Sequence, residues 1–322
     1  MASSSSAKRR ELEQETELRC DVFDSQTLSV KLVKGDAEVF GVEMVADREY
    51  KFKAENIAIF TWYGCTLEYT LAAADGTSME DEFYTADKTP MVAYVNTHAQ
   101  LEARRDVAES SRDGGPRVLV LGSKDSGKST ATRILASYAA RLDRTPIYVD
   151  LDVGESGYGG VAGSIVAVPV DKSMLNVQEG LSSPLTPLVY FTGSATIKGS
   201  SKHFKHVVSL LGEKVDNRLY TDAAAFSSGI IINTPAEMVE LDAASIENLL
   251  HVVRAFSVDV IFCMDAMGDR IFSRLNSLQS NKDIPPGAVI ITLPSSKGII
   301  PRSNRDPARR AQINAYFNGH RV

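Results

Sequence analysis

One segment, residues 117–130, constrains this chain more than any other. Its sequence is RVLVLGSKDSGKST, an apolar strand-like run that leads into a G-x-x-x-x-G-K-S loop and then into a helical stretch. The glycines allow backbone N–H groups to curl around phosphate oxygens, Lys128 adds a point positive charge, and Ser129 offers a hydroxyl to Mg²⁺ at a helix N-terminus. The segment predicts a nucleotide phosphate site formed by Gly122, Asp125, Ser126, Gly127, Lys128, Ser129 and Thr130.

Apolar runs and helical stretches alternate through the rest of the chain beyond this loop. The strand-like runs are 118–121, 147–149, 165–168, 230–232, 258–264 and 289–293, and the helical stretches are 130–142, 204–215 and 243–256. Apolar strands that alternate with helices are typical of a mostly parallel sheet covered on both faces. We therefore predict an α/β fold, with a P-loop parallel sheet domain over residues 111–322.

The first third of the chain has a different pattern. Short alternating segments at 28–32, 37–40 and 57–62, punctuated by glycines, favour a small antiparallel β domain. A helical stretch follows at 91–107, and a run of Ser, Asp, Gly and Pro at 110–116 is a plausible boundary. The first residues are polar and low in complexity. We assign residues 1–16 to a disordered tail and residues 17–110 to the β domain.

A pair of carboxylates ends the second strand of the α/β region. Asp150 and Asp152 are two residues apart, so both point to the same side of the strand. The carboxyl ends of parallel strands form the ligand crevice, and phosphoryl transfer uses one carboxylate to orient the attacking hydroxyl and another near Mg²⁺. Aspartates in a turn or a helix cap are the structural alternative.

Charge and composition exclude several classes of protein. The net charge of −6 argues against broad, nonspecific attraction to nucleic acid. The longest apolar runs are too short to cross a bilayer and the N-terminus lacks an apolar core for secretion, so the expected site of action is inside the cell. Cys20, Cys65 and Cys263 are too few and too scattered for a disulfide framework or a zinc site, and we predict buried thiols.

The identity of the nucleotide is constrained by a missing motif. The guanine-reading Asn-Lys-x-Asp signature is absent, because residues 281–284 read NKDI and have the acid one place early. A small G protein is therefore disfavoured.

The C-terminal segment, residues 297–322, is basic, with six Lys or Arg against one acid. It is either a solvated tail or a mobile lid whose arginines close over the γ-phosphate, with Arg302 and Arg305 as candidates.

Several motifs together resemble the Clp family of RNA 3′-end processing, whose members are pre-mRNA cleavage-complex proteins and polyribonucleotide 5′-hydroxyl kinases. The resemblance covers nearly the whole chain and is carried by ETELR at 15–19, AEVFG at 37–41, FTWYGC at 60–65, TPM at 89–91, NTH at 96–98, the P-loop, DLDVG at 150–154, PLVY at 187–190 and YF at 316–317.

This resemblance implies a β-sandwich N-terminal domain packed on the P-loop domain, with ATP held between them. It implies that Glu17 meets the adenine and that Lys128 and Ser129 take the phosphates and Mg²⁺. Asp152 would take the general-base position. Arg302 corresponds to a lid arginine, so that Lys128, Asp152 and Arg302 form the implied catalytic set and Ser129 and Asp150 the implied metal ligands.

The chain departs from the family pattern at several places. In the family a second lid arginine follows five residues after the position of Arg302, but this chain has Pro307 there. Arg305 or Arg309 could take the place of that second arginine. The family's kinases carry Gln where this chain has Glu155.

Two further departures fall at the site that handles RNA in those kinases. The sequence Asn-Thr-Cys-Gly-Trp is replaced by NTPAE at 233–237, and a Thr-Thr-Pro turn is replaced by ATI at 195–197. The tryptophan stacks on the RNA end, so its replacement by Glu237 removes a stacking platform worth about 1–3 kcal/mol per base and adds a charge that repels phosphate.

Two functions remain open at this point. The first is an ATP-loaded scaffold in the nuclear pre-mRNA 3′-end cleavage and polyadenylation machinery, with other subunits of that complex as partners and RNA as a possible ligand. The alternative is an active ATP-dependent polynucleotide 5′-hydroxyl kinase in mRNA or tRNA processing. The family continues into a small C-terminal domain, which we expect to be absent or truncated here.

Overall fold

The chain forms two compact units. The computed structural model describes residues 7–23, 25–53, 55–73, 77, 79–155, 157, 160–178, 180–181, 187–240, 242–264, 268–295, 313–314 and 316–318. One unit comprises Met1–Val92 and Leu175–Gly180, and the other comprises Ala93–Met174 and Leu181–Val322. We call them the β unit and the P-loop unit.

The β unit is built from antiparallel strands in two sheets. Its strands are β1 (Lys8–Leu12), β2 (Thr16–Asp21), β3 (Gln26–Gly35), β4 (Glu38–Val39), β5 (Val42–Glu43), β6 (Glu49–Lys53), β7 (Asn56–Thr61), β8 (Cys65–Ala73) and β9 (Tyr84–Ala86). One sheet has the order β1-β8-β3-β6 and the other has the order β5-β4-β7-β2-β9.

The two sheets share one apolar core. In β3, Leu28, Val30 and Leu32 are buried and alternate with half-buried polar residues, as expected for a strand with one face inward. They belong to the same buried cluster as Leu18 and Ile59 of the second sheet. Two sheets packed over one core form a β-sandwich, so this prediction is confirmed.

The prediction of a disordered tail over 1–16 is wrong for its described second half. Lys8–Leu12 is strand β1, which pairs with β8 from Lys8 opposite Tyr69 to Leu12 opposite Cys65. Leu12 alone of the five is buried, because this edge strand faces solvent elsewhere. A mainly charged edge strand carries little apolar pattern, and residues 1–6 lie outside the described residues.

The P-loop unit alternates strands and helices. Its elements are α1 (Met91–Ser111), β10 (Arg117–Gly122), α2 (Lys128–Arg141), β11 (Ile147–Asp150), β12 (Ser164–Pro169), β15 (Leu188–Phe191), α3 (Ser201–Thr221), α4 (Ala223–Ser228), β16 (Ile230–Asn233), α5 (Ala243–Ala255), β17 (Val260–Met264), α6 (Gly268–Ser280) and β18 (Val289–Thr292). Two short paired strands, β13 (Leu175–Asn176) and β14 (Gly180–Leu181), come between β12 and β15, and residues 175–180 belong to the β unit. Two 3₁₀ turns cover Lys172–Met174 and Ala236–Val239.

The sheet of this unit has the order β15-β12-β11-β16-β10-β17-β18. Strands β11, β16, β10, β17 and β18 are parallel to one another, while β12 is antiparallel to both β11 and β15. The predicted mostly parallel sheet is therefore confirmed. Helices α3, α5 and α6 share a buried core with one face of the sheet, and α2 contacts the other face through Thr132 and Tyr148.

The two compact units divide at Val92, so α1 packs within the P-loop unit, and the predicted domain boundary at 110/111 stays a prediction. Arg105 of α1 is 0% exposed and donates through Nε to the carbonyl of Ser228 at 2.9 Å. The Glu102 carboxylate forms ion pairs with both Arg105 and Arg144. Ser228 and Arg144 are far from α1 in the sequence, so long-range contacts fix its position.

The thiol prediction is confirmed. Cys20, Cys65 and Cys263 are buried free cysteines, and burial raises the pKa of the Cys65 thiol to about 11. Within the described residues, the helices are all too short or too polar to cross a membrane.

Candidate functional site

The loop between β10 and α2 has a backbone that requires glycine at two positions. Gly127 has a φ of 92° and lies in the left-handed region, directly before the first residue of α2. A Cβ on Gly122 would lie 2.0 Å from the carbonyl oxygen of Met264 and 2.5 Å from Ser126 Oγ. The two predicted glycines are therefore explained by the turn itself and by the neighbouring strand.

The same loop holds polar groups suited to an external anion. Ser126 Oγ is buried without a hydrogen-bond partner, and the N-terminus of α2 has no side-chain cap. Lys128 is 6% exposed and its Nζ donates to the carbonyl of Ser123 at 2.7 Å. A buried ammonium, an unpaired hydroxyl and a helix N-terminus match the needs of phosphate oxygens. Asp125 bends the loop with a φ of 61°, and Thr130 is half-buried in the first turn of α2.

Asn233 links the first turn of α2 to Asp150, the last residue of β11. Its Nδ2 donates to Ser129 Oγ at 3.2 Å and to Asp150 Oδ1 at 3.1 Å. The backbone N–H groups of Asp152 and Gly157 also donate to Asp150, each at 3.0 Å. The two residues predicted as metal ligands, Ser129 and Asp150, are therefore brought together by a third residue that the sequence-based site set omits.

The signal for Asn233 is present in the sequence. It is the polar residue that ends the apolar strand β16, and β16 lies between β10 and β11 in the sheet. Without the strand order, however, the sequence does not indicate which polar strand end faces the phosphate loop.

Burial dominates the electrostatics of the carboxylate pair. It raises the pKa of Asp150 to about 7, with the charge of Asp152 as the second cause, and the hydrogen bonds from Gly157, Asp152 and Asn233 oppose the shift. Burial also raises the pKa of Asp152, while the N–H of Gly154 and the charge of Lys128 lower it. A cation beside these carboxylates would favour their ionised forms.

The donor set fits Mg²⁺ better than it fits a softer metal. Ser129 supplies a hydroxyl and Asp150 and Asp152 supply carboxylates, which are hard oxygen ligands. Mg²⁺ is commonly held by one or two carboxylates together with substrate phosphates and water. Within the described residues there is no group of three or more His, Cys, Asp or Glu side chains that could hold a metal alone.

Glu237 stabilises the turn at residues 195–197, which follows β15. Its carboxylate accepts hydrogen bonds from the Thr196 hydroxyl and from the Ile197 N–H, the latter at 2.8 Å. Both donors belong to the 195–197 turn, so two departures noted in the sequence contact each other. The bond from residue 197 needs an N–H, which a proline at that position would lack.

Three predicted arginines, Arg302, Arg305 and Arg309, lie outside the described residues. Glu17 lies in β2 of the β unit, where it is 4% exposed and forms an ion pair with Arg19. Its predicted contact with adenine stays a prediction.

Both units match known families. Residues 11–108 match the N-terminal β-sandwich domain of polyadenylation factor, and residues 122–319 match the P-loop of the mRNA cleavage and polyadenylation factor CLP1. The chain belongs to the Clp1 family. The family is one of mRNA 3′-end processing factors and polynucleotide kinases, and P-loop kinases use ATP.

Individual relatives resemble most of this chain. Over 314 residues it is 36% identical to polyribonucleotide 5′-hydroxyl-kinase Clp1 of Homo sapiens and 37% identical to that of Gallus gallus, covering 97% of this chain and 69% of each relative. It is 37% identical over 315 residues to the CLP1 homolog of Anopheles gambiae, covering 97% of this chain and 70% of the relative.

Solved structures show the same fold at lower identity. Wild-type Clp1p bound to a segment of Pcf11p has a TM-score of 0.85 at 23% identity, covering 98% of this chain and 74% of that chain. A structure of an extended interface between Pcf11p and Clp1p, which also concerns ATP loss in a point mutant, has a TM-score of 0.80 at 22% identity, covering 99% and 74%.

Proposed function

We propose that this protein binds ATP with Mg²⁺ at the loop between β10 and α2. The uncapped N-terminus of α2 and the buried Lys128 ammonium carry the proposal, because free backbone N–H groups at a helix start and an adjacent cation bind phosphate oxygens. Lys128 and the α2 N-terminus would hold the phosphates, and Ser129 with Asp150 would hold Mg²⁺. The bound metal would neutralise phosphate charge.

Thermal unfolding with and without ATP and Mg²⁺ tests this proposal. A ligand at 100 times its dissociation constant stabilises the folded state by about 2.7 kcal/mol. A Lys128→Ala protein should lose most of the ATP-dependent shift in Tm. Lys214→Ala is a matched control, since Lys214 is an exposed lysine of α3. An equal shift in the Lys128 variant and in wild type would contradict ATP binding at this loop.

We further propose that the ATP-loaded protein is a scaffold of the nuclear pre-mRNA 3′-end cleavage and polyadenylation machinery. The family membership and the Clp1p–Pcf11p complexes of the same fold support a partner subunit of that kind. Calorimetric titration with the corresponding segment of a Pcf11 homologue should give a stoichiometric complex. Absence of binding by the ATP-loaded protein would contradict this partnership, and imaging of a tagged protein outside the nucleus would contradict the location.

A second function, phosphorylation of an RNA 5′-hydroxyl, is favoured by Asp152. This carboxylate is half-buried and lies within electrostatic reach of Lys128, so it combines a raised pKa with a position beside the phosphate loop. It would accept the hydroxyl proton during transfer. Transfer of labelled phosphate from ATP to a 5′-hydroxyl RNA decides between the functions. More labelled RNA with the wild-type protein than with an Asp152→Asn control supports the kinase function. Equal amounts of labelled RNA with the two proteins contradict it.

A further inference from the structure

An exposed aromatic side chain ends the edge strand of the P-loop sheet. Phe191 is the last residue of β15 and is 67% exposed. A single exposed apolar side chain is common on protein surfaces and indicates nothing by itself. The position of Phe191 relative to the carboxylate pair gives it significance.

The strand register relates β15 to β11 through β12. Asp150 lies opposite Val166, and Val166 lies opposite Val189. Two residues further along the same ladder, Ser164 lies opposite Phe191.

The ladder between β11 and β12 continues beyond Asp150. The N–H of Gly163 donates to the carbonyl of Val153 at 2.8 Å, which keeps the same pairing up to that point. Asp152, Ser164 and Phe191 are therefore on one level of the sheet. Neighbouring strands are about 4.8 Å apart, so Phe191 lies two strand spacings, about 10 Å, from the chain at Asp152.

Phe191 also shares a face of the sheet with Asp152. Its neighbour Tyr190 packs against the apolar core that includes α3 and α5. Successive side chains alternate between faces, so Phe191 is directed to the opposite face, where α2 and Lys128 lie. Residues directly opposite on a ladder share a face, which places Phe191 and Asp152 on the same side.

The Phe191 ring lies close to two glycines. Gly163, with a φ of +88°, lies so close that a Cβ there would be 3.2 Å from Phe191 Cε2, and a Cβ on Gly193 would be 3.9 Å from Cε1. The next residue, Thr192, donates both its N–H and its hydroxyl to the carbonyl of Gly163, each at 2.7 Å. The ring therefore rests against glycine backbone while most of its surface faces solvent.

We propose that Phe191 is a stacking platform for a base near the 5′ end of a single-stranded RNA whose end lies at Asp152. The inference rests on RNA as a ligand of the proposed function. Stacking suits this position because every base offers a π-face and the ring is mostly open to solvent. The platform is separate from Glu237, whose carboxylate is engaged with the 195–197 turn.

Fluorescence anisotropy with a 3′-labelled, 5′-hydroxyl RNA oligonucleotide tests the proposal. Phe191→Ala should weaken binding about tenfold, and Phe191→Trp should restore it. A second oligonucleotide, abasic at its first two positions, should bind the wild type about tenfold more weakly than the complete one. The Phe191→Ala protein should bind the two oligonucleotides equally. Tyr220→Ala is a matched control, because Tyr220 is 79% exposed near the far end of α3.

The outcomes separate this inference from the proposed function. An unchanged Kd in Phe191→Ala, or the same preference for the complete oligonucleotide in that variant, would overturn the platform. Absence of RNA binding by the wild type would also overturn it. Neither result would change the ATP-dependent shift in Tm, on which the ATP proposal depends. Equal Tm values for Phe191→Ala and wild type without ligand would show that the variant is folded.

Discussion

Two loops at the carboxyl edge of the same sheet differ in how their polar groups are satisfied. The loop after β10 leaves Ser126 Oγ buried without a partner, and the helix that follows begins without a side-chain cap. In the turn after β15, the Thr196 hydroxyl and the Ile197 N–H both donate to Glu237. The difference teaches that the first loop keeps polar groups available to an external anion, whereas the second is stabilised by the protein's own carboxylate.

The difference also separates the two functions. A nucleotide would complete the first loop, because its phosphates would accept the donors that remain there. The second loop needs no ligand to satisfy these donors. On the proposals above, a change at the second loop could alter RNA handling and leave ATP binding intact, whereas loss of ATP binding would also abolish RNA phosphorylation.

The largest expected effect comes from filling the space at Gly122. A Gly122→Ala side chain would collide with the carbonyl of Met264, 2.0 Å away, and the strand cannot move without disturbing β17. We expect a loss of about 3 kcal/mol in unfolding free energy and loss of the ATP-dependent shift. Urea unfolding measures the first and thermal unfolding with ATP the second. Gly287→Ala, where no atom lies within 4 Å, should leave both unchanged. Normal ATP stabilisation in Gly122→Ala would show that the loop tolerates rearrangement.

The next effect concerns the link between α2 and the carboxylates. Asn233→Leu removes the donor that Asp150 and Ser129 share and leaves the buried carboxyl with fewer partners. We expect a loss of about 2 kcal/mol in unfolding free energy and weaker Mg²⁺-dependent ATP binding. Denaturant unfolding and ATP titration at several Mg²⁺ concentrations measure these. Asn217→Leu on the exposed face of α3 is the control. If both variants behave alike, Asn233 does not organise the site.

A smaller effect should follow at the second loop. Glu237→Ala leaves the Ile197 N–H and the Thr196 hydroxyl without their acceptor, which should cost about 1–2 kcal/mol in unfolding free energy. ATP stabilisation should remain, because the first loop is untouched. The control is Glu240→Ala, whose exposed ion pair with Lys198 should contribute little to stability. Loss of ATP stabilisation in Glu237→Ala would break the proposed independence of the two loops.

The smallest effect is a pH dependence of the unfolding free energy, and it comes from His98 in α1 of the P-loop unit. Burial lowers the pKa of His98 from 6.5 to about 4, with Glu102 opposing and Arg105 and Arg141 adding to the shift. The unfolded chain then binds more protons than the native state between these values, so stability falls as the pH falls through this range. Between pH 7 and pH 5.5 the expected loss is about 1 kcal/mol.

His98→Gln should remove this pH dependence. The control, His206→Gln on the exposed face of α3, should retain it. Urea unfolding of the three proteins at the two pH values measures the difference. An equal slope in wild type and in His98→Gln would assign the pH dependence to another group. The result also supplies the baseline for any pH dependence measured at the two loops.

The sequence by itself determined the features that depend on neighbouring residues. The strand–loop–helix order around Gly122 and Lys128, the alternation of apolar strands with helices and the antiparallel β unit were all predictable, because local periodicity and glycine chemistry act over a few residues. The strand β1 was missed because its charged residues hide the strand pattern. The packing of α1 was missed because its partners are distant.

The tertiary structure alone decided how the edge of the sheet is completed. Asn233 and Ser129 are 104 residues apart, and Glu237 and Ile197 are 40 apart, yet each pair is within hydrogen-bond distance. The level shared by Phe191 and Asp152 likewise follows from strand order and register. No local pattern encodes such contacts, because chain packing selects which strand ends become neighbours.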